Sequence, residues 1–217
     1  FIGNGRYSDI SVFSFHPVKI ITTAEGGMAL TNSDELAAEM ALLRSHGITR
    51  DMAQMTHAPD GPWYYQQIGL GFNYRMTELQ AALGLSQMKR LDTYVARRHE
   101  LARRYDKFLA DLPLITPWQH PDSYSGLHLY VIRLQLDKIS KTHRQVFEAL
   151  REQGIGVNLH YIPVHTHPHY QRMGFRLGDF PQAEQYYAEA ISLPMFQTLS
   201  DEQQIQVVDV LRKMLTT

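Results

Sequence analysis

A mixed α/β fold in two parts is predicted by three features of the 217-residue chain. Short runs of β-branched and other apolar residues alternate with longer stretches whose apolar residues recur at helical spacing. Asn-x-x-Glu and Ser-x-x-Gln patterns stand at the heads of two of those stretches, where a side-chain oxygen and its partner three residues on can satisfy orphan backbone N–H groups. The composition, 44% hydrophobic against 20% charged, is that of a chain with enough apolar side chains to bury a sizeable core. The boundary between the parts is placed near Lys89, dividing residues 1–88 from 89–217.

Taken in order, residues 10–15 read as a strand that stops at His16-Pro17, because proline cannot donate to a ladder. A second strand at 28–31 brackets a loop containing Lys19. Asn32 is expected to open a helix, with Glu35 as its capping partner, Leu36, Met40 and Leu43 on one face, and Gly47 as its end. Residues 48–70 have no clear period and read as a long loop, of the kind that carries function, with Trp63, Tyr64 and Tyr65 packing it. A helix at 76–88 is expected to bury Leu79, Ala82, Leu83 and Ser86. Another runs over 91–109, and Pro113 and Pro117 prevent its continuation. Residues 127–136 alternate as a strand. A helix at 142–153 points Val146, Phe147 and Leu150 inward and stops at Gly154, followed by a strand at 155–160. Helices at 181–191 and 200–215 close the chain, the last opening on Ser200 and Gln203 and burying Ile205, Val208, Leu211 and Leu215. There is no internal repeat.

A formal charge of −1 provides no global positive field for nucleic acid. Lys89-Arg90, Arg97-Arg98 and Arg103-Arg104 are expected to form the wet face of a helix. No uninterrupted apolar run approaches the roughly 18–20 residues of a membrane span. The absence of cysteine excludes disulfides and thiolate metal sites and fits a reducing, cytoplasmic setting. His160, His165, His167 and His169 invite a metal reading, but no carboxylate or cysteine accompanies them and no metal is predicted.

The strongest chemical signal is Lys19. It stands on a turn at a strand end, where an amine can reach a bound carbonyl compound, though a solvated loop lysine is the plain alternative. Ser14, five residues earlier, can offer a hydroxyl to a phosphate or simply face its strand neighbours. Gly26-Gly27 lets the returning backbone pass close to a bound ring.

The run Ser14-Phe15-His16-Pro17-Val18-Lys19 with Glu25-Gly26-Gly27 resembles the cofactor-lysine segment of the DegT-type sugar-nucleotide aminotransferases. The resemblance continues through Arg44-Ser45-His46-Gly47, through Gly71-Phe72-Asn73-Tyr74-Arg75-Met76-Thr77-Glu78, and through His160-Tyr161-Ile162-Pro163-Val164-His165, covering nearly the whole chain. It implies the C-terminal part of a fold-type-I transferase dependent on pyridoxal phosphate (PLP): residues 1–88 the end of the large PLP-binding domain, residues 89–217 a small α+β domain. Because the family's lysine falls near mid-chain, an N-terminal part carrying the pyridine-pairing carboxylate and most of the phosphate cradle is expected to be missing. The isolated chain is then expected to be inactive.

The same resemblance implies roles. Lys19 would be the catalytic and cofactor lysine, its amine freed by burial near a cation. Where relatives carry histidine in its place they are 3-dehydratases, so lysine favours aminotransfer. Ser14 would bind the cofactor phosphate. Asn73 would reach the cofactor phosphate of the partner in a homodimer with composite sites, or would cap the following helix. Arg75 would hold a phosphate or an ion pair, and His16, His160 and Tyr161 would border the substrate. Family members with His-Pro-Val-Lys followed by Ile-Thr-Thr-Ala-Glu-Gly-Gly act in pseudaminic acid synthesis, which implies a UDP-4-keto-6-deoxy amino sugar as substrate and glutamate as donor. GDP-perosamine and 4-amino-4-deoxyarabinose transaminases share much of the motif set, and a non-catalytic module is the alternative from another class.

Overall fold

The computed structural model describes residues 1–216 and divides into two compact units, Phe1–Leu91 and Asp92–Thr217. Helices and strands are mixed in both, as the α/β expectation requires. No helix among the described residues is long and apolar enough to cross a membrane.

In the first unit, β1 (Ser11–Ser14) pairs antiparallel with β2 (Gly27–Leu30), Ser11 facing Leu30 and Ser14 facing Gly27. Helix α1 (Asp34–Arg44) is capped by Ser33, whose Oγ accepts from the Leu36 N–H at 3.3 Å. The expected cap, Asn32, lies one residue too early and instead donates to the Asn4 carbonyl at 2.8 Å. The helix ends where the Gly47 N–H returns to the Leu42 carbonyl at 2.9 Å.

Residues 48–70 are less featureless than expected. Strands β3 (Ile48–Thr49) and β4 (Gln66–Gln67) pair antiparallel and close the excursion at its base. Inside it, buried Gln66 accepts from the Thr56 N–H at 2.8 Å and contacts His57 Nδ1 at 3.1 Å, while the Tyr64 hydroxyl meets His57 Nε2 at 2.6 Å. Trp63 and Tyr65 stand exposed, so of the three aromatics only Tyr64 does the packing. Helix α2 (Glu78–Met88) starts at a Thr77/Gln80 capping box. The face expected to be buried is the exposed one: Leu79 is 85% accessible, and Ala82, Leu83 and Ser86 are also exposed. Ala81, Gly84 and Gln87 face inward instead.

In the second unit, α3 (Leu91–Phe108) packs beside a three-stranded antiparallel sheet of order β5 (Leu114–Ile115), β6 (Tyr130–Leu134), β7 (Ala190–Leu193). Tyr130, Ile132 and Leu134 on the central strand are almost wholly buried, each contributing about 1.5–3 kcal/mol by leaving water. The remaining elements are α4 (His143–Glu152), the short α5 (Pro168–Gln171), α6 (Pro181–Glu189) and α7 (Asp201–Leu215). Thr142 with Gln145 and Ser200 with Gln203 form capping boxes at α4 and α7.

Three expectations are corrected here. The helix read through residue 191 stops at Glu189, and Ala190–Leu193 is a strand buried at all four positions, pairing with β6. Residues 155–160 form no strand, and their backbone meets the sheet at the isolated Asn158–Ser192 bridge. On α7, Ile205 is exposed while Gln204 is buried, donating to the Leu101 carbonyl at 2.7 Å.

Lys89, Arg90 and Arg103 are exposed as a wet face requires, but buried Arg98 and half-buried Arg97 and Arg104 depart from it. Arg98 is buried and carries no salt bridge among the described residues. Its Nη1 donates to the carbonyls of Leu127 and His128 at 3.1 Å and of Met195 at 3.0 Å. Burial pushes its guanidinium below the ordinary arginine value. Arg97 and Arg104 converge on Asp201 in the first turn of α7. Hydrogen bonding to Arg97 above all holds the Asp201 carboxyl below the usual carboxylate range.

Arg98→Met should therefore cost the second unit on the order of 3 kcal/mol, since a buried carbonyl left unpaired costs about 1–3 kcal/mol. Urea denaturation measures it, and a loss below about 1 kcal/mol would mean that water replaces the guanidinium. The Asp201 cluster has a signed pH dependence. A depressed folded pKa gives stability that is present above the ordinary carboxylate pKa of about 4 and lost as pH falls through the folded value. Thermal melts of Asp201→Asn should thus differ from the unaltered protein at neutral pH and converge with it in acid; a constant difference at every pH would refute the ion-pair account.

Candidate active site

The Lys19 loop is built almost entirely from its own backbone. The β1–β2 ladder continues one step beyond the strands, with the Phe15 N–H donating to the Gly26 carbonyl at 2.8 Å. His16-Pro17-Val18-Lys19 then forms a turn closed by the Lys19 N–H on the His16 carbonyl at 2.9 Å. Pro17, second in that turn, has the fixed φ that such a turn requires. The Phe15 carbonyl is the anchor of the return path: it accepts from Thr22 Oγ1 at 2.9 Å and from the Thr23 N–H at 3.0 Å. Thr22 Oγ1 in turn accepts from the Ala24 N–H at 2.9 Å, and Thr23 Oγ1 donates to the Glu25 carbonyl at 2.7 Å.

Helix α2 supports this loop from beneath. Gln87 Oε1 accepts from the Thr22 N–H at 3.3 Å, and a Cβ at Gly84 would come within 2.8 Å of Thr23 Cγ2. Gly26 has φ +156°, and a Cβ there would lie 2.2 Å from Thr23 Oγ1. The glycine requirement at this loop thus already follows from the chain's own packing. Phe15, Ile21, Met28, Met76 and Leu85 line an apolar cavity of ≈ 370 Å³ between the hairpin and α2.

Lys19 is half-buried rather than buried as expected, and its ammonium has no partner among the described residues. Ser14 is exposed; its Oγ receives only a long contact from the His16 N–H at 3.4 Å, so its own proton is free to donate. His16 Nε2 lies 3.8 Å from Glu25 Oε1, which gives Glu25 a neighbour where sequence reading found no role. A ligand bearing both a carbonyl and a phosphate fits an uncommitted amine and an uncommitted hydroxyl on one loop.

Asn73 is held by its backbone against the end of α1 through a bridge to Ser45, flanked by the His46 N–H on the Phe72 carbonyl at 2.9 Å. Its side chain is exposed and does not cap α2, since Thr77 does. Arg75 is likewise exposed and makes no ion pair among the described residues. Met76, in the same segment, reaches the lysine loop: its Cε lies 2.9 Å from where a Gly26 Cβ would sit. Ser14, His16, Lys19, Asn73 and Arg75 therefore belong to one unit.

His160 and Tyr161 belong to the second unit. His160 Nδ1 lies 2.7 Å from Ser192 Oγ, and Tyr161 is 68% exposed. Buried His165 turns elsewhere, meeting Glu184 Oε1 at 2.8 Å, where the Gly178 N–H also donates at 2.7 Å. These two hydrogen bonds, His165 first, hold the Glu184 carboxyl below its usual range. No cluster of histidine and carboxylate groups among the described residues is arranged to hold a metal ion. Sequence reading missed Thr22, Thr23, Gly84 and Gln87 as the frame of the lysine loop, although the two threonines lay inside the motif.

With its lysine loop between two antiparallel strands and its capped helix beneath, the chain belongs to the DegT/DnrJ/EryC1/StrS aminotransferase family, whose model matches residues 3–212. Among curated relatives it is 39% identical over 211 residues to the spore coat polysaccharide biosynthesis protein SpsC of Bacillus subtilis, covering 96% of this chain and 54% of that one. It is 37% identical over 201 residues to the UDP-4-amino-4,6-dideoxy-N-acetyl-beta-L-altrosamine transaminase of Helicobacter pylori, covering 91% and 50%. Among solved structures, Helicobacter pylori PseC, an aminotransferase involved in the biosynthesis of pseudoaminic acid, superposes with a TM-score of 0.85 at 34% identity, covering 98% of this chain and 54% of that one. The sugar aminotransferase Spr1654 of Streptococcus pneumoniae, described as putative and solved in its PMP-form, gives 0.86 at 28%, covering 97% and 54%. The chain spans about half the length of the curated relatives it matches.

The dependence of the lysine loop on Gly84 is open to test. Gly84→Leu should expel Thr23 from its seat on α2 and raise amide exchange at Thr23 by about tenfold or more, through local opening, with β6 amides unchanged. Unaltered exchange at Thr23 would show that α2 does not support the loop.

Proposed function

We propose that this chain forms part of a PLP-dependent aminotransferase that transfers an amino group from glutamate to a UDP-4-keto-6-deoxy amino sugar, in the synthesis of a pseudaminic-acid-type surface sugar. The observation that carries the reading is Lys19, presented uncommitted at the end of a rigid turn on the loop that also bears Ser14. The family match supports aminotransfer, and the altrosamine transaminase and PseC support the sugar. When bound, PLP supplies the electron sink for the pair left when a proton is removed beside the transferred nitrogen.

The chain's own residues have definable tasks. Lys19 Nζ would hold and move that proton. The Ser14 hydroxyl would donate to the cofactor phosphate, and His16 would border the ring. Asn73 offers its amide to the phosphate in the partner subunit, with Arg75 beside it available to a substrate phosphate. His160 and Tyr161 contact the sugar nucleotide. The proposed assembly is a cytoplasmic homodimer whose sites draw on both chains.

Replacing Lys19 by Ala in the intact protein should abolish the visible absorbance that PLP gains on binding covalently and lower turnover by at least about a thousandfold. A retained band would remove Lys19 from the role. Turnover of a UDP-4-keto-6-deoxy amino sugar above GDP- and dTDP-linked 4-keto sugars should fix the substrate, and preference for a GDP sugar would favour the perosamine type. Mixed dimers of Lys19→Ala and Asn73→Ala chains should recover activity that neither homodimer has; sites contained within one chain would show no recovery.

A further inference from the structure

The segment 160–165 is held at both ends by polar contacts reaching into the second unit's interior. At one end His160 Nδ1 meets Ser192 Oγ at 2.7 Å, and at the other His165 Nε2 meets Glu184 Oε1 at 2.8 Å. Ser192 is 5% exposed and sits inside β7, which pairs with central β6 through Val131. The backbone reinforces the first contact: the Ser192 N–H donates to the Asn158 carbonyl at 2.7 Å, and the Asn158 N–H donates back at 3.3 Å. Between the two anchors, Tyr161, Ile162 and Val164 are 68%, 47% and 57% exposed. A short run of large, solvent-facing side chains pinned at both ends in this way is a preorganised ledge, because the entropy of fixing it is already spent before a ligand arrives.

We infer that Ser192 is a positioning residue: its buried hydroxyl sets the plane of the His160 imidazole, so that this ring meets the nucleotide-sugar substrate in a single orientation. The inference rests on the substrate role given to His160 above. A serine hydroxyl can donate to Nδ1 or accept from it, so the 2.7 Å contact fixes the position and plane of the ring in either tautomer. Ser192 reaches no further than His160, so its influence on substrate passes through that ring.

The test uses the intact, cofactor-loaded protein with the UDP-4-keto-6-deoxy amino sugar, and separately the half-reaction with glutamate. Ser192→Ala should lower kcat/KM for the keto sugar by about three- to tenfold, the factor one neutral hydrogen bond carries, while the glutamate half-reaction stays within about twofold. Ser192→Thr, which keeps the hydroxyl, should restore the sugar kinetics, and Ser192→Ala added to His160→Ala should change nothing further. Side-chain NMR should show the His160 ring held in one orientation in the unaltered protein and averaged over several in Ser192→Ala. An equal fall in both half-reactions, a full effect of Ser192→Ala without His160, or an unchanged ring orientation would each overturn the inference. Absence of keto-sugar turnover in the unaltered protein would instead overturn the function proposed above, and the NMR result would still report on the Ser192–His160 contact alone.

Discussion

A buried cation with no counter-ion among the described residues governs the second unit. The Arg98 guanidinium is surrounded by carbonyl oxygens, Leu127 and His128 before β6 and Met195 after β7. One side chain thus ties α3 to the entry of the central strand and to the exit of its neighbour. Neutral acceptors exact less of a geometric and desolvation demand than a buried carboxylate, whose own charge would also have to leave water. Because β7 carries Ser192, and Ser192 holds His160, the arginine's contacts lie upstream of the exposed ledge at 160–165. A packing decision on α3 is transmitted to a surface segment through one strand.

The lysine loop is organised on the opposite principle. Its frame consists of short side-chain-to-backbone bonds, most of them within ten residues, with the Phe15 carbonyl shared by two donors. Local bonding of this kind makes the direction in which Lys19 leaves the turn a property of the hairpin itself. Helix α2 adds only small residues and one glutamine beneath it. The amine and the Ser14 hydroxyl are left as the uncommitted groups, which is what a site prepared for a ligand rather than for its own stability requires.

Local signals were legible in the sequence wherever the physics was local. Pro17 ended β1, Gly26 and Gly27 marked the returning backbone of the loop, and the Ser200 and Gln203 pair announced α7 correctly. Tertiary choices were not legible. Ala190–Leu193 is buried on both faces, so it lacks the alternation that would have separated it from the helix before it. Residues 155–160 have a strand's composition, but their backbone finds only one bridge. Arg98 carries a charge that local patterning assigns to solvent, and only carbonyls contributed by residues 29 to 97 positions away make its burial tolerable. The same limit applied at the candidate site. Ser14 and Lys19 were visible as a motif, whereas Ser192, 32 residues from His160, carried no mark of its contact.

Among the described residues Ile21, 9% exposed, is the sole hydrophobic side chain buried in the first unit, while Leu79, Leu85, Leu70 and Val12 stand in water there. So little apolar burial cannot offset the conformational entropy of ordering a unit of this size. The order of the lysine loop and the covering of those side chains are consequently linked quantities in the thermodynamic sense: any surface that binds the leucines of α2 preferentially in the ordered state also raises the population in which Lys19 leaves its turn correctly. For the role proposed for Lys19, the covering of those leucines would count before any substrate is present.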